Sequence, residues 1–181
     1  AFHGLGSGKT LTSIAAQDAL GMHASVVVPA ALKDNYLKEQ KKHLEGTPQQ
    51  TDMMTLQTIA RRGQAPKTPM LIVDEAHRLR DAGSQSFKAL KSTPAAKRLL
   101  LTGSPFYNHP ADIAPLINLA ANQRVLPGDQ AEFAKQYITE QQVNPGFISK
   151  LKGTKPGTVQ MLNKAKEQEL RNVFGKYVDY H

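Results

Sequence analysis

The chain has 181 residues, 40% of them hydrophobic and 21% charged, and carries a formal net charge of +8. This length accommodates one well-buried domain but not a second full one. The apolar runs are too short to cross a bilayer, and nothing resembles a signal peptide, so we expect no membrane partner. The absence of cysteine excludes disulfides and thiolate zinc sites, which fits a cytoplasmic protein.

Positive charge is concentrated in the middle of the chain. Residues 47–100 contain nine lysines and arginines but only four acidic residues. This charge is compatible with simple solubility and equally with a partner that has a phosphate backbone. The motifs must decide between the two.

The first motif lies close to the start of the chain. Ala1-Phe2 has the character of a strand end, so the sequence is expected to begin inside its first element, as an excised fragment would. A glycine-rich turn that opens a helix can hold phosphate through backbone N–H groups, a lysine ammonium and a hydroxyl on Mg²⁺. The usual pattern has glycine where this chain has His3. The residues predicted to bind a nucleoside triphosphate here are Gly4, Gly6, Ser7, Gly8, Lys9 and Thr10.

Alternating helix and strand patterns follow this turn. A helix with Leu11, Ile14, Ala15 and Ala19 on its apolar stripe is predicted to end near Gly21. A strand over 25–28 and a helix over 32–44 come next, and this second helix is expected to bury Leu32, Tyr36, Leu37 and Leu44. A weaker strand over 52–56 and a short helix over 58–62 complete this part.

A short apolar run, Met70 to Val73, predicts a buried parallel strand that ends at two acidic residues. Ligands of open α/β sheets bind at the carboxyl ends of the strands. Asp74 is therefore predicted to hold Mg²⁺ together with Thr10, and Glu75 to polarise the attacking water. The structural alternative for such an acidic pair is a helix N-terminal charge.

The rest of the chain continues the alternation and then loses it. Ser84 is predicted to cap a helix to about Lys91, followed by a strand over 98–101 and a helix over 110–121. Helices are also expected over 130–137 and 159–174. The fold class is α/β, with a mainly parallel sheet between two helical layers. Residues 1–120 form the motif-bearing core of a single domain, and 121–181 its helical completion.

Four blocks of this sequence resemble motifs I, Ia, II and III of superfamily-two helicases, and the Swi/Snf branch fits best. The blocks are residues 4–11, 26–29, 71–79 and 99–105. Arg78-Leu79-Arg80, Ser84 and Asn108 are similar to residues that follow the second and third motifs in that branch. The resemblance implies a RecA-like P-loop lobe, the first of two, with ATP between the lobes and the second lobe absent from this sequence.

The resemblance also implies roles for individual residues. The glycine-rich turn would be a Walker A loop, in which Lys9 contacts the β and γ phosphates. The acidic motif at Asp74 to His77 would be a DEAH box. Coupling of the nucleotide state to nucleic-acid contact would involve His77, Thr102, Gly103 and Ser104, and contact with a DNA backbone, duplex in this branch, would involve Pro29 and Lys33. Arg61 and Arg62 are further nucleic-acid candidates, and are also compatible with a solvated helix end. The family usually has threonine where this chain has Ser104 and glutamine where it has Tyr107. The resemblance therefore does not carry the contact of that glutamine over to Tyr107.

The resemblance implies a DNA-dependent ATPase that moves along duplex DNA, and two alternatives stay open. The first is an RNA helicase or virus-type transcription ATPase, since the phosphate turn looks like that of viral and phage ATPases. The second is a catalytically silent nucleic-acid-binding module. Arg78-Leu79-Arg80 and Asn108 favour DNA, and intact Lys9, Asp74 and Glu75 favour an active enzyme. We expect the protein to come from a bacterium or phage and to work in the cytoplasm of the bacterial or phage-infected cell.

Overall fold

The structure is a computed structural model that describes residues 8–43, 50–104, 109–143 and 157–179. Its centre is a four-stranded parallel sheet of β1 (Ala24–Val27), β2 (Thr51–Met54), β3 (Met70–Val73) and β4 (Lys97–Leu100). The strand order is β2-β1-β3-β4. Every residue of the two inner strands is buried, as expected for parallel strands covered on both faces.

Helices precede, join and follow these strands. They are α1 (Lys9–Leu20), α2 (Lys33–His43), α3 (Leu56–Arg62), α4 (Gln85–Ser92), α5 (Ala114–Ala121), α6 (Gln130–Tyr137) and α7 (Glu167–Tyr177). Local signals define several ends. Gly21 takes a left-handed φ of 58° after α1, and the Ser84 hydroxyl accepts a hydrogen bond from Phe87 N at 3.2 Å to cap α4. Both of these predictions are confirmed.

The two faces of the sheet are covered by different helices. One face packs against α3, α4 and α5 through an apolar cluster that includes Ile59, Phe87, Leu90, Leu116 and Leu119. The other face packs against α1 and α2, which contribute Ile14 and Tyr36 to a smaller cluster. Alternate strand residues supply the two clusters, as the two-residue period of a strand requires. The predicted three-layer α/β arrangement is confirmed.

A third cluster joins α5, α6 and α7. Beside it lies an antiparallel pair of strands, β5 (Ile138–Val143) and β6 (Gly157–Leu162). The prediction of a helix over 159–174 is therefore wrong in its first part. The backbone of β6 pairs with β5, and the Asn163 side chain then caps a 3₁₀ turn by accepting from Ala165 N, so the α-helix begins only at Glu167.

The predicted apolar stripes of α1 and α2 also need correction. Leu11, Leu32 and Leu37 are 45%, 39% and 39% exposed, and Leu44 lies outside the described residues. The buried residues of these helices are mostly polar, because α1 and α2 pack against each other through side-chain hydrogen bonds. Within the described ranges, no helix is long and apolar enough to cross a membrane.

Candidate functional site

The carboxyl end of β3 and the start of α1 meet at one place in the fold. Lys9 Nζ, in the first turn of α1, lies 3.3 Å from Glu75 Oε1, just after β3. The two residues are 66 positions apart in the chain. Both are only partly exposed, with 13% and 25% of their side chains accessible. The structure therefore brings two predicted catalytic residues into direct contact at the edge where α/β proteins bind ligands.

The start of α1 suits an anion. Gly8 precedes the helix with a φ of 81°, a left-handed conformation that favours glycine, and no side chain caps the helix. The first N–H groups of a helix have no partner within the helix and carry the positive end of its dipole. Together with the Lys9 ammonium they form a set of donors for phosphate. Gly4, Gly6 and Ser7 lie outside the described residues.

Asp74 is buried, at 7% exposure, directly after β3. Its Oδ1 accepts a hydrogen bond from Glu75 N at 2.9 Å, which orients the carboxylate. Burial raises the pKa of Asp74 above its usual range, the backbone bond opposes this, and the charge of Glu75 adds to it. A cation at this position would relieve the cost of keeping the carboxylate charged.

The donor set fits Mg²⁺. Thr10, half-buried, follows Lys9 in the first turn of α1 and supplies a hydroxyl, and Asp74 supplies a carboxylate. Among the described residues, no group of three or more histidines or acidic residues could form a metal cage alone. Mg²⁺ bound with a nucleotide needs only one or two protein oxygens, with phosphates and waters completing its octahedron.

Glu75 is held in an unusual backbone conformation. Its φ is 51° and its ψ is 45°, in the left-handed region that costs free energy for a residue with a side chain. This turn out of β3 places the carboxylate between two cationic or polar groups. Oε1 faces Lys9, and Oε2 lies 3.2 Å from His77 Nδ1. The strained backbone of Glu75 thus holds its carboxylate, the group predicted to polarise water, in a defined position.

The predicted coupling residues also meet. His77 Nδ1 lies 3.1 Å from Thr102 Oγ1, which accepts a hydrogen bond from Ser104 N at 3.1 Å across Gly103. Thr102 is 1% exposed. A continuous series of contacts therefore runs from Lys9 through Glu75, His77 and Thr102 to the segment after β4. Their roles in coupling stay predictions.

Three of the four predicted nucleic-acid residues line one open depression. Lys33, Arg61 and Arg62 surround it with residues of β2. Arg61 and Arg62 also line a neighbouring depression with Lys88 of α4, a residue that sequence reasoning missed. Pro29 follows β1, directly before a 3₁₀ turn, and lines neither depression. Tyr107 and Asn108 lie outside the described residues.

Comparison with known proteins identifies the family. A model of the SNF2-related domain matches residues 50–178, more than two thirds of the chain. The chain belongs to the SNF2-related domain family. The predicted Swi/Snf resemblance is therefore confirmed, and the matched part contains the acidic motif at Asp74 and the segment after β4.

Individual relatives and solved structures agree with this family. The chain is 38% identical over 68 residues to "DNA repair protein rhp54" of Schizosaccharomyces pombe, covering 38% of this chain and 8% of that protein. It is 26% identical over 148 residues to an Acanthamoeba polyphaga mimivirus protein named provisionally as an ATP-dependent RNA helicase, covering 77% of this chain and 32% of that protein.

The "Sulfolobus solfataricus SWI2/SNF2 ATPase core in complex with dsDNA" superposes with a TM-score of 0.69 at 21% identity. The superposition covers 99% of this chain and 39% of the Sulfolobus solfataricus chain. This similarity supports the RecA-like fold. The chain therefore spans well under half the length of these proteins.

Proposed function

We propose that this SNF2-related domain is the ATP-hydrolysing first lobe of a translocase that moves along duplex DNA. The observation that carries the proposal is the series of contacts from Lys9 to Thr102. It joins the start of α1, the half-buried carboxylate of Glu75 and the imidazole of His77 to the segment after β4. On this proposal, residues 3–10 form a Walker A loop and Asp74 to His77 a DEAH box.

The residues have distinct tasks in hydrolysis. Mg²⁺, when bound, neutralises charge on the β and γ phosphates. Lys9 leaves Glu75 and contacts these phosphates, because a phosphate cluster offers its ammonium more charge than one carboxylate. Glu75 is then free to accept a hydrogen bond from the attacking water and orient it. His77 contacts both Glu75 and Thr102, so movement of the Glu75 side chain changes the hydrogen bonding of His77 and passes to the segment after β4.

Contact with DNA is assigned to the depression lined by Lys33, Arg61 and Arg62. Cationic side chains around an open surface suit a phosphate backbone, and such contacts weaken steeply with salt and depend little on sequence. Lys33→Ala should weaken duplex binding about equally for unrelated sequences and lower the salt dependence. Fluorescence anisotropy at two salt concentrations measures this, and a loss confined to one sequence would contradict the assignment.

A second lobe is part of the proposal. Hydrolysis in motors of this kind uses an arginine that stabilises charge on the transferred phosphoryl group. Three arginines of this lobe are already engaged elsewhere. The guanidinium of Arg98 donates to backbone carbonyls that include those of Thr93 and Leu119, and Arg124 and Arg171 pair with Glu132 and Glu167. If the second lobe supplies the catalytic arginine, the isolated 181-residue chain should show almost no DNA-stimulated ATPase activity.

Steady-state phosphate release tests the proposed function. In the protein that joins this lobe to its second lobe, duplex DNA should stimulate hydrolysis, and Glu75→Gln should stop hydrolysis while nucleotide stays bound. If single-stranded RNA stimulates hydrolysis and duplex DNA does not, the protein acts on RNA, as the first alternative states. Absence of hydrolysis with either nucleic acid would support the silent binding module. The proposed source is a bacterium or phage, and the proposed location is the cytoplasm of the bacterial or phage-infected cell.

A further inference from the structure

The contact between α1 and α2 is polar and buried. The buried residues of α1 are Ser13, Ile14 and Gln17, and those of α2 are Tyr36 and Gln40. Four of these five side chains carry hydrogen-bonding groups. Helices that only support a sheet usually meet through apolar side chains, as α3 and α4 do on the opposite face. The chemistry of this interface therefore needs its own explanation.

Ser13 and Tyr36 form the part of the interface nearest the nucleotide site. Ser13 Oγ lies 2.7 Å from the carbonyl oxygen of Thr10 and 3.0 Å from the Tyr36 hydroxyl. A serine hydroxyl has one proton, so when Ser13 donates to the Thr10 carbonyl, the Tyr36 hydroxyl donates to Ser13 Oγ. The two residues are 0% and 2% exposed. The hydroxyl of Tyr36 is thus tied to the backbone of a predicted magnesium ligand through one side chain.

A second set of hydrogen bonds extends the interface to β2. Gln40 Nε2 lies 2.9 Å from Thr51 Oγ1 and 3.4 Å from Gln17 Oε1. Gln17 Nε2 also donates to the backbone carbonyl of Gln50 at 3.1 Å. These bonds join α1, α2 and the strand that lines the basic depression. The whole interface therefore connects the proposed ATP helix to the elements of the proposed DNA contact.

The position of Tyr36 places it between the two proposed sites. It lies one turn after Lys33 in α2, and Ser13 lies one turn after Thr10 in α1. Burial raises the pKa of Tyr36, and the negative charge of Asp74 contributes to the same shift. Tyr36 therefore connects the helix that carries Thr10, through Ser13, to the helix that carries Lys33.

We propose that the Ser13–Tyr36 hydroxyl pair is a positioning contact that links the nucleotide state of α1 to the nucleic-acid contact of α2. This inference rests on the proposed function. Occupation of the Lys9–Thr10 turn shifts the first turns of α1, and the Thr10–Ser13–Tyr36 bonds carry this shift to the start of α2, where Lys33 lies. A hydrogen bond is directional, so it transmits a change in helix position that a loose apolar contact absorbs.

Removal of one hydroxyl tests this role. Tyr36→Phe keeps the buried ring and deletes only the Tyr36 end of the pair. In the two-lobed protein, we expect the ratio of DNA-stimulated to basal ATPase rate to fall about fivefold or more, the lower range of coupling between sites. The basal rate and the affinity for Mg²⁺-ATP should change less than about twofold, since neither involves a lost ligand.

Tyr137 offers a matched control. It is 1% exposed within the cluster of α5, α6 and α7, and its hydroxyl donates to the exposed Glu169 of α7. Tyr137→Phe therefore deletes a tyrosine hydroxyl and its hydrogen bond at a position that contacts neither proposed site. It should lower the melting temperature about as much as Tyr36→Phe does, without changing the stimulation ratio.

A double-mutant cycle with Ser13→Ala identifies the pair as one unit. If the hydroxyls act together, the combined variant should lose no more stimulation than the more affected single variant. The proposal is overturned if Tyr36→Phe keeps the wild-type ratio, if it lowers basal and stimulated rates equally, or if Tyr137→Phe lowers the ratio as much. A wild-type protein without DNA stimulation would instead refute the proposed function itself.

Discussion

Both faces of the sheet are covered through apolar clusters, but the helices on each face contact one another through different chemistry. On one face, Phe87 and Leu90 of α4 and Leu116 and Leu119 of α5 are buried in a continuous apolar cluster. On the other, α1 and α2 meet through hydroxyl and amide groups. Apolar packing tolerates small displacements but is costly to hollow out, whereas buried hydrogen bonds depend on position. We therefore expect the helix contacts of the first face to contribute mainly stability, and we assign the proposed coupling between sites to the polar α1–α2 contact of the second.

The largest expected effect is on the apolar face. Leu90→Ala should lower the free energy of unfolding by about 2–5 kcal/mol, because Leu90 is fully buried and its loss leaves a cavity. Leu11→Ala is the control on α1, since Leu11 is 45% exposed and its replacement should cost much less. Chemical denaturation of both variants measures the difference, and equal losses would contradict the assignment of the core to this face.

The next effect is catalytic. Lys9→Ala should reduce ATP turnover by about a hundredfold or more, a loss of about 3 kcal/mol of transition-state stabilisation, because it deletes the ammonium assigned to the phosphates. Lys97→Ala removes an exposed lysine at the start of β4 and serves as the control. Phosphate-release rates decide between them. Near-normal turnover by Lys9→Ala would remove the nucleotide site from this place.

A smaller loss is expected within the polar face. Gln40→Ala should lower the free energy of unfolding by about 1–3 kcal/mol, since it removes a donor from the buried amide oxygen of Gln17 and the half-buried hydroxyl of Thr51. Gln168→Ala, at an exposed position in α7, should change stability by less than about 0.5 kcal/mol. A loss above about 3 kcal/mol for Gln40→Ala would exceed what buried hydrogen bonds contribute and would contradict the division between the two faces.

The smallest effect is a gain. The folded-state pKa of Asp74 lies above its usual range, so the native state binds this proton more tightly than the unfolded state does. Stability from this group therefore falls as pH rises through the raised pKa, and the charged carboxylate costs stability at neutral pH. Asp74→Asn should raise the melting temperature of the nucleotide-free protein at neutral pH. The gain should shrink as the pH is lowered.

The sequence predicts the apolar elements of this fold better than the polar contact between α1 and α2. The inner strand Met70–Val73 is a run of apolar residues, so its burial and the position of Asp74 can be inferred locally. Hydrophobic periodicity alone predicts that Leu11 and Leu37 are buried, but both are exposed. The interface that α1 and α2 form instead contains Ser13, Gln17 and Gln40, which a search for apolar stripes passes over.

The site shows a similar limit. Residue types and spacing predict that Lys9 and Glu75 belong together, but their 3.3 Å contact and the φ of 51° at Glu75 depend on the assembled sheet. A signal for the α1–α2 interface was present: Ser13 and Gln17, like Tyr36 and Gln40, are four residues apart and so share one helix face. The β5–β6 pair depends on a strand partner distant in the chain, which local patterns do not identify.

The central claim is that the carboxyl edge of the sheet binds Mg²⁺-ATP through Lys9 and leaves Glu75 free to act on water. Equilibrium titration with a fluorescent ATP analogue, in the protein that joins this lobe to its second lobe, tests it most directly. We expect Mg²⁺ to tighten binding to the wild type, Glu75→Gln to keep that affinity, and Lys9→Ala to lose it while Lys97→Ala does not. Equal affinity of the wild type and Lys9→Ala would contradict the account.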